Sequence, residues 1–283
     1  MRTVVSVHPA YRNDIGDLVT RRPLPGPGVE NVGAFLFLNH HGPQAYPPNN
    51  RGLPFGPHPH RGFETVTFIL EGELAHTDSA GHESVIRAGG MQWMTAGRGI
   101  VHAEVSPAGF KRDGGAMEIL QLWLNLPARL KMTAPRYIGL QAEGIPAIEA
   151  EGAIVHLIAG AFQGETGPVE SLTGTMLGWV ELREGEVTFD GLEGRDVFLY
   201  AARGTIEVGG RQVPQFHLAQ LSAGDSVTVS ASEPALFLFG HAEPIDEPIV
   251  AHGPFVMNTV EEIRQAFADY QAGTFGVAEI VEG

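Results

Sequence analysis

The sequence predicts an all-β chain of two similar barrel or sandwich domains with a short α-helix near its C-terminus. Three observations carry this. The 37 glycines and 20 prolines among 283 residues favour tight turns over long helices. Short apolar runs recur at regular intervals between turn residues. Landmarks of the first half return in the second, as expected of a repeated domain. The length allows each domain its own core, and the division is placed at 1–134 and 135–283.

After an irregular opening (Pro23 to Pro27), Ala34 to Leu38 reads as a buried strand leading into a loop, Gly42 to Pro59, rich in Pro and Gly. Glu64 to Leu70 reads as a strand, Glu71-Gly72 as a turn and Glu73 to Thr77 as the returning strand. Ser79-Ala80-Gly81 turns the chain again. Ser84 to Ile86 and Gln92 to Met94 then flank Arg87 to Gly90, and Ala96-Gly97-Arg98-Gly99 bends into a strand from Ile100 to Val105. In the second half, Phe198 to Val208 around Gly204 matches the strand-Gly-strand around Gly72, and Leu221 to Asp225 echoes Ile86 to Gly90. Near the end, Thr259 and Glu262 form a capping box. Val260, Ile263, Phe267 and Tyr270 follow as one apolar stripe to pack on a β-layer, and Gly273 ends the helix.

Two pairs carry the chemistry, His58-Pro59-His60 and His102-Ala103-Glu104. Side chains two apart on a strand share a face, so each pair can point into one space. Three imidazoles and a carboxylate suit a divalent transition ion such as Fe, Ni, Cu, Mn or Zn, and not Ca or Mg, which prefer all-oxygen shells. When the positions are transferred by offset from the matching glycines, His58 and His60 fall on Asp190 and Leu192, and His102 and Glu104 on Phe237 and Phe239. The second copy is therefore expected to be metal-free, with His217 and His241 as ordinary histidines.

The net charge of −15 argues against direct binding to nucleic acid or to an anionic membrane. The absence of Cys rules out disulfides and thiolate ligands. The start, Met1-Arg2-Thr3-Val4-Val5, lacks the apolar core of a secretory signal and no run is long enough to span a bilayer, so a cytoplasmic protein is expected.

The stretch His58 to Thr67, followed by Gln92-Trp93-Met94-Thr95-Ala96-Gly97-Arg98-Gly99-Ile100-Val101-His102-Ala103-Glu104, resembles the pirin family of the cupin superfamily. His252 to Thr259, followed by Glu261 to Ala266, is similar to the C-terminal signature of that family. The resemblance implies two cupin (jelly-roll) barrels of which only the N-terminal one holds metal, with His58, His60, His102 and Glu104 as ligands and Fe(II) as the ion expected first. The glutamate of the general cupin motif falls on Thr65. Glu64, one residue displaced, is expected on the opposite face as a wall carboxylate paired with an arginine such as Arg61.

An open four-ligand centre leaves positions for a substrate and dioxygen. Several pirins cleave the flavonol quercetin, which implies a 2,3-dioxygenase here, with Glu104 as ligand and base. Phe55, Phe63, Trp93 and Met94 are candidates for a slot around a flat aromatic substrate, against the alternative that they are barrel core. Animal pirins act as transcription cofactors responsive to metal redox state and some bacterial relatives bind metabolic enzymes, so the competing expectation is a regulatory protein with a protein partner. A small-molecule-binding cupin with a structural metal is a third.

Overall fold

The computed structural model describes residues 1–279. Two compact units emerge, each built from a larger and a four-stranded antiparallel sheet. Neither is a continuous stretch of chain. One contains 13–20, 39–142 and the segment from Ile245 on; the other contains 1–12, 21–38 and 143–244. Partners distant in sequence complete each unit. Val4–Pro9 pairs with His217–Leu221. The Arg2 guanidinium donates to the carbonyls of Leu192, Arg195 and Gly224.

In the first unit the larger sheet runs Arg136–Leu140, Met91–Thr95, Phe63–Glu71, Gly115–Asn125 and Phe35–Tyr46, the last of these entering it from Asn39. The smaller sheet runs Phe55–His60, Ile100–Val105, Glu73–Asp78 and Glu83–Arg87. The predicted loop from Gly42 to Pro59 is shorter than expected, since both of its ends are strand. Pro57 and Pro59 are tolerated because Phe55–His60 is a sheet edge, where a missing N–H breaks no ladder on the outer side. Gly72, at φ +84°, makes the tight return between Phe63–Glu71 and Glu73–Asp78.

The second unit repeats this plan. Gly204, at φ +69°, separates Asp196–Arg203 from Ile206–Val208 as Gly72 does in the first. Its interior is apolar where the first holds histidines. Phe237, Phe239 and Leu192 are fully buried, whereas Asp190 is exposed. Phe239 stacks on Phe189 with ring centroids 3.8 Å apart, and Phe162 lies 5.1 Å from Phe189. His217 donates from Nδ1 to the Gln215 carbonyl, and His241 accepts from Arg195 Nε, so each is engaged locally.

The terminal helix, Val260–Gln271, begins in the predicted capping box: Glu262 N donates to Thr259 Oγ1, and Glu262 Oε2 accepts from Thr259 N. The predicted stripe is narrower. Ile263, Ala266 and Phe267 pack against Val101, Phe255 and Met257, whereas Val260 and Tyr270 are exposed. The helix covers a short hairpin, Val250–His252 with Phe255–Met257, and a hairpin presents less apolar surface than a full sheet.

Replacing Phe239 with Ala is expected to destabilise the protein by about 3–5 kcal/mol through lost burial and a cavity. Urea unfolding checks this, and metal binding by the first unit should be unchanged.

Candidate metal centre

Phe55–His60 and Ile100–Val105 are neighbours in register, with His58 opposite His102 and His60 opposite Ile100. Period-two alternation turns His58, His60 and His102 to one face, and their rings converge at centroid separations of 4.9, 4.3 and 5.0 Å. One nitrogen from each lies within 4.8 Å of the others. Among the described residues these three form the histidine and acid cluster able to hold a metal ion.

The hydrogen bonds orient the rings for ligation. His58 Nδ1 lies 2.8 Å from the Gly56 carbonyl and His60 Nδ1 lies 3.2 Å from the Pro254 carbonyl. A carbonyl only accepts, so each Nδ1 carries the proton and each Nε2 keeps a lone pair. His102 is 1% exposed and neither of its ring nitrogens has a hydrogen-bonding partner in the protein. A buried imidazole without a partner is costly, and a divalent ion would satisfy it. Burial, with the neighbouring His58, lowers His60 to about 3; burial, then His60 and His58, lowers His102 well below the usual range. Both are neutral bases near pH 7, the form a metal requires.

Glu104 faces the same interior but is held differently. Its Oε1 accepts from Thr67 Oγ1 at 3.0 Å and its Oε2 from Gln121 Nε2 at 2.5 Å. The pairing with Phe55–His60 slips between His102 and Glu104, which sets Glu104 opposite Phe55. The structure therefore brings the three imidazoles into one cluster and places the carboxylate beside it on a polar wall.

Register decides which neighbours share this interior. Thr67 reaches Glu104, so Phe63, Thr65 and Thr67 face inward, and Met94 opposite Thr65 and Gln92 opposite Thr67 face inward with them. Phe63 contacts His60 at 5.0 Å and Trp123 at 4.3 Å, while Phe55 lies 5.2 Å from His41. Trp93 is opposite Val66 and belongs to the other face, so it does not line the slot. Glu64 shares that other face, as expected; Thr95 Oγ1 donates to its Oε1 at 2.6 Å, and the arginine whose charge acts on it is Arg136. Burial raises its pKa. Arg61 instead pairs with Asp269.

Sequence reasoning missed the wall beside His102. His76 lies 5.5 Å from His102, stacks on Tyr137 at 4.0 Å and hydrogen-bonds Asp78 through Nε2 at 3.1 Å. Burial alone would push Asp78 up, but hydrogen bonds from His76 and His82 outweigh it and hold the carboxyl below its usual range. The signal was present: His76-Thr77-Asp78 has the same spacing of two as the ligand pairs.

The sequence matches two family descriptions, Pirin over residues 17–124 and Pirin C-terminal cupin domain over residues 180–276. A pirin-like protein of Solanum lycopersicum is 39% identical over 282 residues, covering 97% of this chain and 93% of its own length. Pirin of Homo sapiens is 37% identical over 259 residues, covering 89% and 86%. The crystal structure of quercetin 2,3-dioxygenase from Acinetobacter baumannii superposes with a TM-score of 0.91 at 32% identity, covering 98% of this chain and 99% of that one. No helix among the described residues is long and apolar enough to cross a membrane.

The lowered pKa of His60 has a sign that can be tested. Between 6.5 and about 3 the unfolded chain binds a proton that the folded chain refuses, so stability falls as pH drops through 6.5. For metal-free protein, lowering the pH from 6.5 to 5 is expected to cost about 2 kcal/mol at this residue. Urea unfolding at both pH values checks it, because His60→Asn should lack that part of the loss.

Proposed function

We propose that this chain, which belongs to the pirin family, is a mononuclear metal-dependent dioxygenase that opens the central ring of quercetin-like flavonols. The observation that carries this reading is the convergence of His58, His60 and His102 beside a fixed carboxylate inside one barrel. The similarity to the Acinetobacter baumannii quercetin 2,3-dioxygenase supports the same substrate class.

His58, His60 and His102 would hold the ion, with Glu104 as a fourth ligand. Fe(II) is favoured, and Ni, Cu, Mn or Zn fit the same donors, because a nitrogen-rich site follows the Irving–Williams order and supply selects the ion. When bound, the ion supplies Lewis acidity and, if redox-active, one-electron access. The protein does the rest. Thr67 and Gln121 hold the Glu104 carboxylate in one orientation, from which it can take the proton of the substrate's acidic hydroxyl. Gln92, whose amide nitrogen and oxygen are buried without partners in the protein, offers a donor and an acceptor to a polar substrate edge. Phe55, Phe63 and Met94 supply flat or pliable apolar contact.

Oxygen-dependent loss of quercetin is the test, using protein loaded anaerobically with Fe(II), Ni(II), Mn(II) or Cu(II). Turnover is expected with at least one ion and none in His102→Ala, which should lose metal while keeping its fold. Glu104→Gln should retain more metal yet lose about 10²-fold or more in turnover, the scale of a missing general base. Absence of turnover with every loaded ion would overturn the dioxygenase reading and favour the partner-binding alternative.

A further inference from the structure

The strand Phe55–His60 that carries two of the histidines is a sheet edge, and just past its end Arg61 bridges Phe255 in the hairpin Val250–His252 with Phe255–Met257. Val256 N donates to the Arg61 carbonyl at 3.0 Å, and the Pro254 carbonyl accepts from His60 Nδ1 at 3.2 Å. The approach is close: a Cβ on Gly62 would lie 2.0 Å from the Val256 oxygen, so only glycine fits there. Two charged side chains fasten this contact. Lys131 is 1% exposed and spends its three donors on Asn125 Oδ1 at 2.7 Å, the Gly62 carbonyl at 2.9 Å and the Val256 carbonyl at 3.1 Å. Arg61 donates to Asp269 Oδ2 at 2.7 Å and to the Arg98 carbonyl at 2.7 Å, with its guanidinium 4.6 Å from the Phe275 ring centre. Lys131 therefore ties both sides of the contact together, one through Gly62 and the other through Val256.

A buried ammonium is an expensive way to join two backbone segments if stability is the only need, since apolar residues of similar volume often serve as well. Its position two residues from His60 on one side and two from Pro254 on the other suggests a more specific task. The orientation of His60, and with it the direction of its Nε2 lone pair, depends on where the Pro254 carbonyl sits.

We infer that Lys131 is a positioning residue for the metal centre, with Asp269 as its auxiliary: they fix the Pro254 carbonyl against His60 and thereby set metal affinity from outside the ligand set. The inference rests on reading the three imidazoles as a metal centre. It extends that centre to a segment about 150 residues away in sequence, since Pro254 and His102 are separated by that distance.

The test is metal affinity of the full-length protein by competition with a chromophoric chelator, using Zn(II) and Co(II), together with the Co(II) visible spectrum and thermal midpoint. Lys131→Met is expected to weaken binding about tenfold or more, the range for lost outer partners of ligating histidines. It should also change the Co(II) spectrum. Asp269→Asn, a surface change that leaves Lys131 in place, should give a smaller loss in the same direction. Phe239→Ala is the control, lowering the thermal midpoint without moving affinity or spectrum. Unchanged affinity and spectrum in both Lys131→Met and Asp269→Asn would overturn the inference while the metal reading stands. Wild-type protein that binds neither ion, or binds both equally well after His60→Ala, would overturn the metal reading and this inference with it. Should Lys131→Met not fold, Asp269→Asn decides alone.

Discussion

Two imidazoles, His60 and His102, are buried within ring contact of each other and of His58, which keeps both of them neutral, and this constraint organises the unit around them. Water is excluded from His60 and His102, so protonation would place like charges together in a poor dielectric. The barrel responds by giving His58 and His60 each a backbone carbonyl that fixes the proton on Nδ1. What remains is a set of lone pairs facing one point. Fold stability and ligand basicity thus come from the same burial, and the cost is the unpartnered His102.

The second unit is a natural contrast on the same architecture. Its strand order and turn glycine repeat the first, yet phenylalanines fill its interior where histidines lie in the other. A barrel of this size needs its interior filled, and either stacked rings or a polar cluster with its own bonding can do so. The two units thus keep one strand order while their inward positions differ in chemistry.

Much of this was legible because period two is a local property. The convergence of His58, His60 and His102, the outward Glu64, the phenylalanine plug and the capping box of Thr259 and Glu262 all follow from alternation or short-range spacing. What was not legible depends on partners far away in the chain. Nothing around Val4–Pro9 says that its ladder lies at His217–Leu221, and nothing around Arg61 says that its carboxylate is Asp269 rather than the adjacent Glu64. Trp93 and Met94 differ by one residue and so lie on opposite faces, which only the pairing with Phe63–Glu71 resolves. His76 and Asp78 carry the same spacing as the ligand pairs, but their role depends on which strand lies beside Ile100–Val105.

The interleaved composition of the two units bears on biosynthesis. The unit that carries the histidines takes residues from Ile245 on, and the other takes residues 1–12, so neither is a contiguous product of the ribosome. Emerging chain from 39 to 142 could pair its strands early, but His60 would lack the Pro254 carbonyl and Lys131 its Val256 acceptor until the last part of the chain had been made. Folding in which an N-terminal domain matures before its successor is synthesised is not open to such a topology. The contact that orients His60 is therefore completed only after the segment holding Pro254 has been made.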